Sequence, residues 1–377
     1  MSIYLDHNAT TPLRPEVFEG VVPFLREEFG NASSVHAFGT RARCAVEEAR
    51  IAIARTLGAT ASEIVFTSGG TESNNLAIVG AARGGHARRV LVAAIEHSSV
   101  LEPAHRLRAE GREVEHIPTD TSAHVKLDAL ADLLKEPGAL VSIGWANNEV
   151  GTVQGIDEIA ALCAERGALL HVDAVQAVGK VPVRVNGIDL LSLSAHKVGG
   201  LKGCGALYVR NGVHLEPLLV GGGQERERRA GTENVAAIVG LGLACELAAA
   251  EIDWFGEVCV ALRDRLWKGL QERIAGVHRN GAATGLPNTL NVRFDGVRGE
   301  ALVAALDLEG VAVSSGSACA AGAGEPSHVL LALGLDRDAA RDGVRFSLGR
   351  TNAPEEIDTV IEIATAAVAR IRAARRA

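Results

Sequence analysis

A chain of 377 residues with 47% hydrophobic but only 3% aromatic side chains suits one large domain beside a smaller one, around a core of Ala, Val and Leu. A net charge of −8 without a long basic block argues against a nucleic-acid surface and for small molecules or other proteins as partners. No apolar run is long enough to span a bilayer, and residues 1–8 have neither a basic n-region nor an apolar h-region, so no membrane contact and a cytoplasmic location are expected.

In chain order, residues 41–57 read as an amphipathic helix and 63–67 as a short buried strand. Ser68-Gly69-Gly70-Thr71-Glu72-Ser73-Asn74-Asn75 then opens a helix running through Leu76 and Ile78. A strand, a glycine turn and a helix start aim free backbone N–H groups at an anion such as a phosphate. An ordinary helix cap at Ser68 or Thr71 fits the same letters. Alternation continues with strands at 89–94, 114–117, 140–145, 168–172, 189–193 and 205–209, and with helices at 100–110, 127–134 and 156–166. Helices between all but the last strands predict an α/β fold with a mostly parallel sheet covered on both faces. Ligands of such sheets sit beyond the carboxyl ends of the strands.

Those ends are polar: Glu96-His97-Ser98-Ser99, Ala146-Asn147-Asn148-Glu149, Asp173-Ala174-Val175-Gln176, and Ser194-Ala195-His196-Lys197. Each alone could cap a helix or a turn. Lys197 follows a core strand directly, and desolvation there disfavours its ammonium form, leaving an amine able to condense with an aldehyde such as pyridoxal 5′-phosphate, PLP. A strand-end lysine that reaches water fits the same window, so its partners decide. Jointly the rim supplies an imidazole to stack on a pyridine ring, amides for a phenolic oxygen, and in Asp173 a carboxylate to hold the ring nitrogen protonated.

Past residue 240 the pattern changes. Helices at 235–251 and 256–274 lead to an alternating strand at 289–294, then helix, strand and a last helix over 355–372. This reads as a smaller α+β unit. The six cysteines, Cys44, Cys163, Cys204, Cys245, Cys259 and Cys319, form no Cys-x-x-Cys pair, which indicates neither a disulfide framework nor a metal site. Most are expected to fill the core.

Four motifs in this order carry a resemblance: Ser-Gly-Gly-Thr-Glu-Ser-x-Asn at 68–75, His-Val-Asp-Ala-x-Gln at 171–176, Ser-x-His-Lys at 194–197 and Ser-Ser-Gly-Ser-Ala-Cys at 314–319. The chain resembles the cysteine desulfurases of the NifS/IscS branch, PLP enzymes of the class-V aminotransferases, with similarity running from Tyr4 to Arg350. The resemblance implies PLP-dependent transferase fold type I, aspartate aminotransferase-like, with a large PLP-binding domain over 14–255. Residues 1–13 and 256–377 would form the small domain.

It further implies that Lys197 carries PLP as a Schiff base, that Asp173 pairs with the pyridine nitrogen, and that His97 stacks on the ring and moves protons. Asn148 and Gln176 would reach the phenolic oxygen or the substrate, while Gly70, Thr71, Ser194 and His196 would hold the phosphate. Arg345 would clamp the α-carboxylate of L-cysteine with its two-pronged guanidinium. Thr232, in Gly231-Thr232, would complete the phosphate site of the neighbouring subunit, implying a homodimer. Cys319 lies in a stretch without large side chains, expected to be exposed, and lacks the apolar periodic context of the other thiols. The resemblance makes it the thiolate that takes the sulfur as a persulfide, for a sulfur acceptor or iron–sulfur scaffold protein. A selenocysteine lyase, or another PLP-dependent lyase, would keep Lys197, Asp173 and Arg345 without depending on Cys319, and a non-catalytic partner protein of the same fold would need none of them. After the lysine the chain reads Val198-Gly199-Gly200-Leu201-Lys202-Gly203, where relatives commonly carry Tyr or His and Pro.

Overall fold

The computed structural model describes residues 2–315 and 325–375. The chain opens with a two-residue strand, β1 (Ile3–Tyr4), and a helix, α1 (Pro15–Arg26). Alternation follows: α2 (Ala37–Leu57), β2 (Ile64–Thr67), α3 (Gly70–Arg83), β3 (Arg89–Ala93), α4 (Ser98–Ala109), β4 (Glu113–Ile117), α5 (Leu127–Leu133), β5 (Ala139–Gly144), α6 (Ile156–Glu165), β6 (Leu169–Asp173), β7 (Leu190–Ser194) and β8 (Gly205–Val209). The strands form one sheet of order β2-β8-β7-β6-β5-β3-β4. From β7 to β4 every pairing is parallel, whereas β8 runs antiparallel to β7 and β2.

Side chains alternate between two helix-covered cores, as the period of two along a strand requires. Leu91, Val141, Ile143, Leu191 and Leu193 pack with α2, α6 and the later helix α7 (Val235–Ala250). Val90, Val92, Leu140 and Leu190 pack with α3 and α4 on the other face. This double burial explains why β3 and β5 read as largely aliphatic runs, without the polar alternation that the edge strand β4 shows.

After α7 the chain bends by 70° into α8 (Ile252–Arg273). It continues through β9 (Val277–Asn280), β10 (Thr289–Phe294), α9 (Gly299–Leu308), β11 (Val311–Ala312), β12 (Ser314–Ser315), α10 (His328–Ala332), β13 (Val344–Ser347) and α11 (Pro354–Ala374). A second sheet, β12-β13-β10-β9, is antiparallel throughout, and β1 pairs in parallel with β11. Ile3 and Leu5 are thereby packed into the core that α8, α11, β10 and β13 share.

The sequence reading overlooked α1, whose buried stripe is only Val17 and Val21 and which contains Pro23. It also gave no separate place to β9, β11 or β12, strands of two to four residues whose partners are distant. Of the thiols, Cys163, Cys204, Cys245 and Cys259 are buried, and burial pushes each up to about 12. Cys44, on α2, is exposed. Among the described residues no single helix is long and apolar enough to cross a membrane, and no cluster of side chains suits a metal ion.

Candidate active site

Because β3, β5, β6 and β7 run parallel, their carboxyl ends open onto one rim. The loops there, together with residues around Asn8 and Arg345, enclose a cavity of about 730 Å³. Gly70, Thr71, His97, Asn148, Asp173, Gln176, Ser194, His196, Lys197 and Arg345 all line it. The structure thus gathers every expected site residue except two. Thr232 is exposed and does not line the cavity, and Cys319 lies outside the described residues.

His97 leaves β3 as the N-cap of α4, where its Nδ1 accepts the Ser99 backbone N–H at 3.1 Å. The Ser99 hydroxyl stands 2.8 Å from the same nitrogen. With Nδ1 serving as acceptor, the ring proton sits on Nε2. Burial is the main cause lowering its pKa; Asp173 opposes that, and Lys197 adds to it, so the imidazole is a neutral base near neutral pH. Asp173 ends β6, buried. Its Oδ1 accepts the Val175 N–H at 2.9 Å and its Oδ2 accepts the Asn74 amide at 2.7 Å. The same Asn74 nitrogen donates to Ser99 Oγ at 2.8 Å, so one amide on α3 ties the carboxylate to the imidazole's anchor. Neither Asn74 nor Ser99 was singled out from sequence, because each acts through a partner far along the chain.

Lys197 sits in the single helical turn after β7. Its Nζ donates to the carbonyl oxygens of Asn8 and Ala9, the latter at 2.9 Å. Gly199 follows at φ 86°, and a Cβ there would lie 2.4 Å from Arg14 Cγ, so only glycine fits this turn. Next to the lysine, burial, then Lys197, Lys202 and Lys180, push His196 down to about 4. The ring is therefore neutral, and its Nδ1 lies 3.1 Å from the Thr10 hydroxyl.

The glycine turn before α3 brings Gly70 and Thr71 to the same cavity. Gly69 has φ 155°, and a Cβ on Gly70 would stand 2.7 Å from Val175 Cγ2. Ser194, buried at the end of β7, is within 3.9 Å of a Cβ placed on Gly69. The residues fit PLP as a set: a lysine amine, a carboxylate fixed by two donors, a neutral imidazole, and a helix N-terminus flanked by hydroxyls.

Arg345 projects from β13 with its side chain 4% exposed. Nη2 is 2.6 Å from Asp6 Oδ1 and Nη1 donates to the Asn148 carbonyl at 3.1 Å. Its Nε–H is buried and has no hydrogen-bond partner among the described residues. The same guanidinium lines the cavity, where its positive charge suits an anionic ligand. Two further buried carboxyls border the site. Glu96 accepts the Gly144 N–H at 2.9 Å and burial pushes it up to about 8. Glu149 accepts the Ser327 hydroxyl at 2.6 Å and burial, against Ser327 and Arg345, holds it at about 7.

The sequence profile described as Aminotransferase class-V matches residues 3–360. The chain belongs to the class-V aminotransferase family. That family and its cysteine desulfurases are PLP-dependent. Proteins named cysteine desulfurase IscS, from Dictyoglomus turgidum and Methanosarcina thermophila, are each 46% identical to this chain over 98% of its length, covering 95% and 93% of their own. Among solved structures, a NifS-like protein superposes with a TM-score of 0.92 at 38% identity, over 98% of this chain and 100% of that one. The structure titled SspA in complex with cysteine matches with a TM-score of 0.82 at 36% identity, over 92% of this chain and 99% of its own.

Proposed function

We propose that the protein is a cysteine desulfurase that converts L-cysteine to L-alanine, with PLP joined to Lys197 and Cys319 receiving the sulfur. The observation that carries this reading is the convergence of Lys197, Asp173, His97 and Arg345 on one cavity. PLP, when bound, supplies an electron sink for bonds at the substrate's α-carbon.

The chain's own residues do the rest. Asp173, held by Asn74 and the Val175 N–H, keeps a proton on the ring nitrogen. Gly70, Thr71, Ser194 and the neutral His196 take the phosphate, with Thr232 serving the site of a second copy in a homodimer. Asn148 and Gln176 reach the phenolic oxygen or the substrate. Arg345 fixes the carboxylate, which places the substrate's α-proton for removal by Lys197 or His97. In the sulfur transfer the substrate Cβ–S bond breaks and an S–S bond to the Cys319 thiolate forms. Cysteine plus thiol becomes alanine plus persulfide, without an external oxidant. The persulfide passes to a sulfur acceptor or iron–sulfur scaffold protein in the cytoplasm. Residues 14–255 form the PLP-binding domain, and 1–13 with 256–377 the smaller one.

Replacing Cys319 by Ala tests the reading. Alanine formation from L-cysteine is expected to stop while the PLP absorbance stays as it was. Undiminished turnover in that variant refutes the role of the thiol and favours a lyase.

A further inference from the structure

Lys180 is buried, yet none of the ion pairs among the described residues involves it. An isolated buried ammonium is costly, so burial works against the charged form. Burial, then the charges of Lys197 and Arg345, lower its pKa well below that of a free lysine. The amine has two acceptors. Nζ donates to the Gln176 side-chain oxygen and, at 3.1 Å, to Asn8 Oδ1.

Each acceptor is the oxygen end of an amide, and turning the Gln176 amide over would take one acceptor from the buried amine and set the amide oxygen against the Asn8 carbonyl oxygen. The far ends are therefore fixed. Gln176 Nε2 donates to the Asn8 carbonyl at 2.9 Å, the same carbonyl that Lys197 Nζ meets. Asn8 Nδ2 donates to Thr289 Oγ1 at 2.9 Å and to the Asn148 carbonyl at 3.0 Å, and that carbonyl also takes Arg345. The primary amide of Gln176 keeps a second N–H, and Gln176 lines the cavity whereas Lys180 does not.

We propose that Lys180 is a positioning residue whose two hydrogen bonds lock the Gln176 and Asn8 amides so that Gln176 offers an N–H, never its oxygen, to the phenolic oxygen of PLP. This rests on the reading that PLP is bound at Lys197. A donor on that oxygen stabilises its negative charge and so makes the neighbouring Lys197 nitrogen less basic.

The test uses the PLP-loaded protein and its Lys180→Met variant, which keeps a buried unbranched chain and removes both donors. Three quantities are measured: the PLP dissociation constant, the midpoint of the pH titration of the bound cofactor's visible absorbance, and the melting temperature of each protein. In the variant, the dissociation constant is expected to rise about tenfold, the effect of one hydrogen bond, and the titration midpoint to move to higher pH. In a Gln176→Ala background the Lys180 substitution should add nothing to either, since its effect runs through Gln176. A midpoint equal to that of the unaltered protein, or full additivity with Gln176→Ala, overturns the proposal. Should Lys180→Met fail to fold, Lys180→Leu replaces it; it too removes the donors, so the midpoint is again expected to rise, and an unchanged one overturns the proposal. Failure of the unaltered protein to bind PLP would instead overturn the underlying reading, and with it this one.

Discussion

Arg345 gives substrate recognition its most quantitative test. A guanidinium has five N–H bonds; here one contact goes to Asp6 at 2.6 Å and one to the Asn148 carbonyl at 3.1 Å, while Nε–H is buried without an acceptor. On the proposed function, the carboxylate of L-cysteine binds this guanidinium where it lines the cavity. Arg345→Lys keeps the charge and loses the fork, so at least one charge-assisted hydrogen bond is lost, about 1.5–3 kcal/mol. At about 1.4 kcal/mol per decade this is about a ten- to hundredfold fall in kcat/KM. Because the carboxylate does not react, the loss should fall on KM more than on kcat. Alanine formed from L-cysteine across a range of substrate concentrations measures it, with PLP absorbance and melting temperature as controls for the anchors at Asp6 and Asn148. A kcat/KM within about twofold of the unaltered protein would refute the assignment.

Two predictions concern stability. Glu225 meets Arg50 through two hydrogen bonds at 2.7 and 2.8 Å and accepts the Phe66 N–H at 2.8 Å, with both side chains 4% exposed. Glu225→Ala leaves the Arg50 guanidinium with Glu47 at 3.0 Å and the Ile64 carbonyl but removes its two charged hydrogen bonds to Glu225, and should cost at least about 1.5–3 kcal/mol, seen as an earlier denaturant midpoint; an unchanged midpoint contradicts this. Glu96 and Glu149 are held at about 8 and about 7, above the 4.5 of a free carboxyl, so between those values the folded protein binds more protons than the unfolded one. Their contribution is complete below about 4.5 and is lost as pH rises through about 7 and about 8. The melting temperature of the PLP-stripped protein should therefore decline across this window, and Glu96→Gln with Glu149→Gln should flatten the decline. A slope that both substitutions leave unchanged rules out these carboxyls as its source.

The large sheet was legible because parallel strands buried on both faces are written as largely aliphatic runs of five or six residues between helices, as at Arg89–Ala93 and Ala139–Gly144. Their polar ends announced the rim, and with it His97, Asp173 and Lys197. What stayed hidden acts at a distance. Asn74 bridges Asp173 and Ser99 across 99 and 25 residues, and Asn8 meets Lys180, Lys197 and Asn288 from far along the chain. No local period encodes such contacts. Lys180 did leave one trace, a lysine inside the apolar run Val178-Gly179-Lys180-Val181, which a search for isolated charges in buried context would have marked. The strand pairing of β1 with β11 joins Ile3 to Val311, and nothing in a two-residue strand announces its partner.

The most direct measurement concerns the Lys197 amine. PLP-loaded protein is treated with borohydride, digested and mapped by mass spectrometry. The reduced pyridoxyl adduct is expected on the peptide carrying Lys197 and to be absent from that carrying Lys180; an adduct on another lysine, or none, contradicts the account.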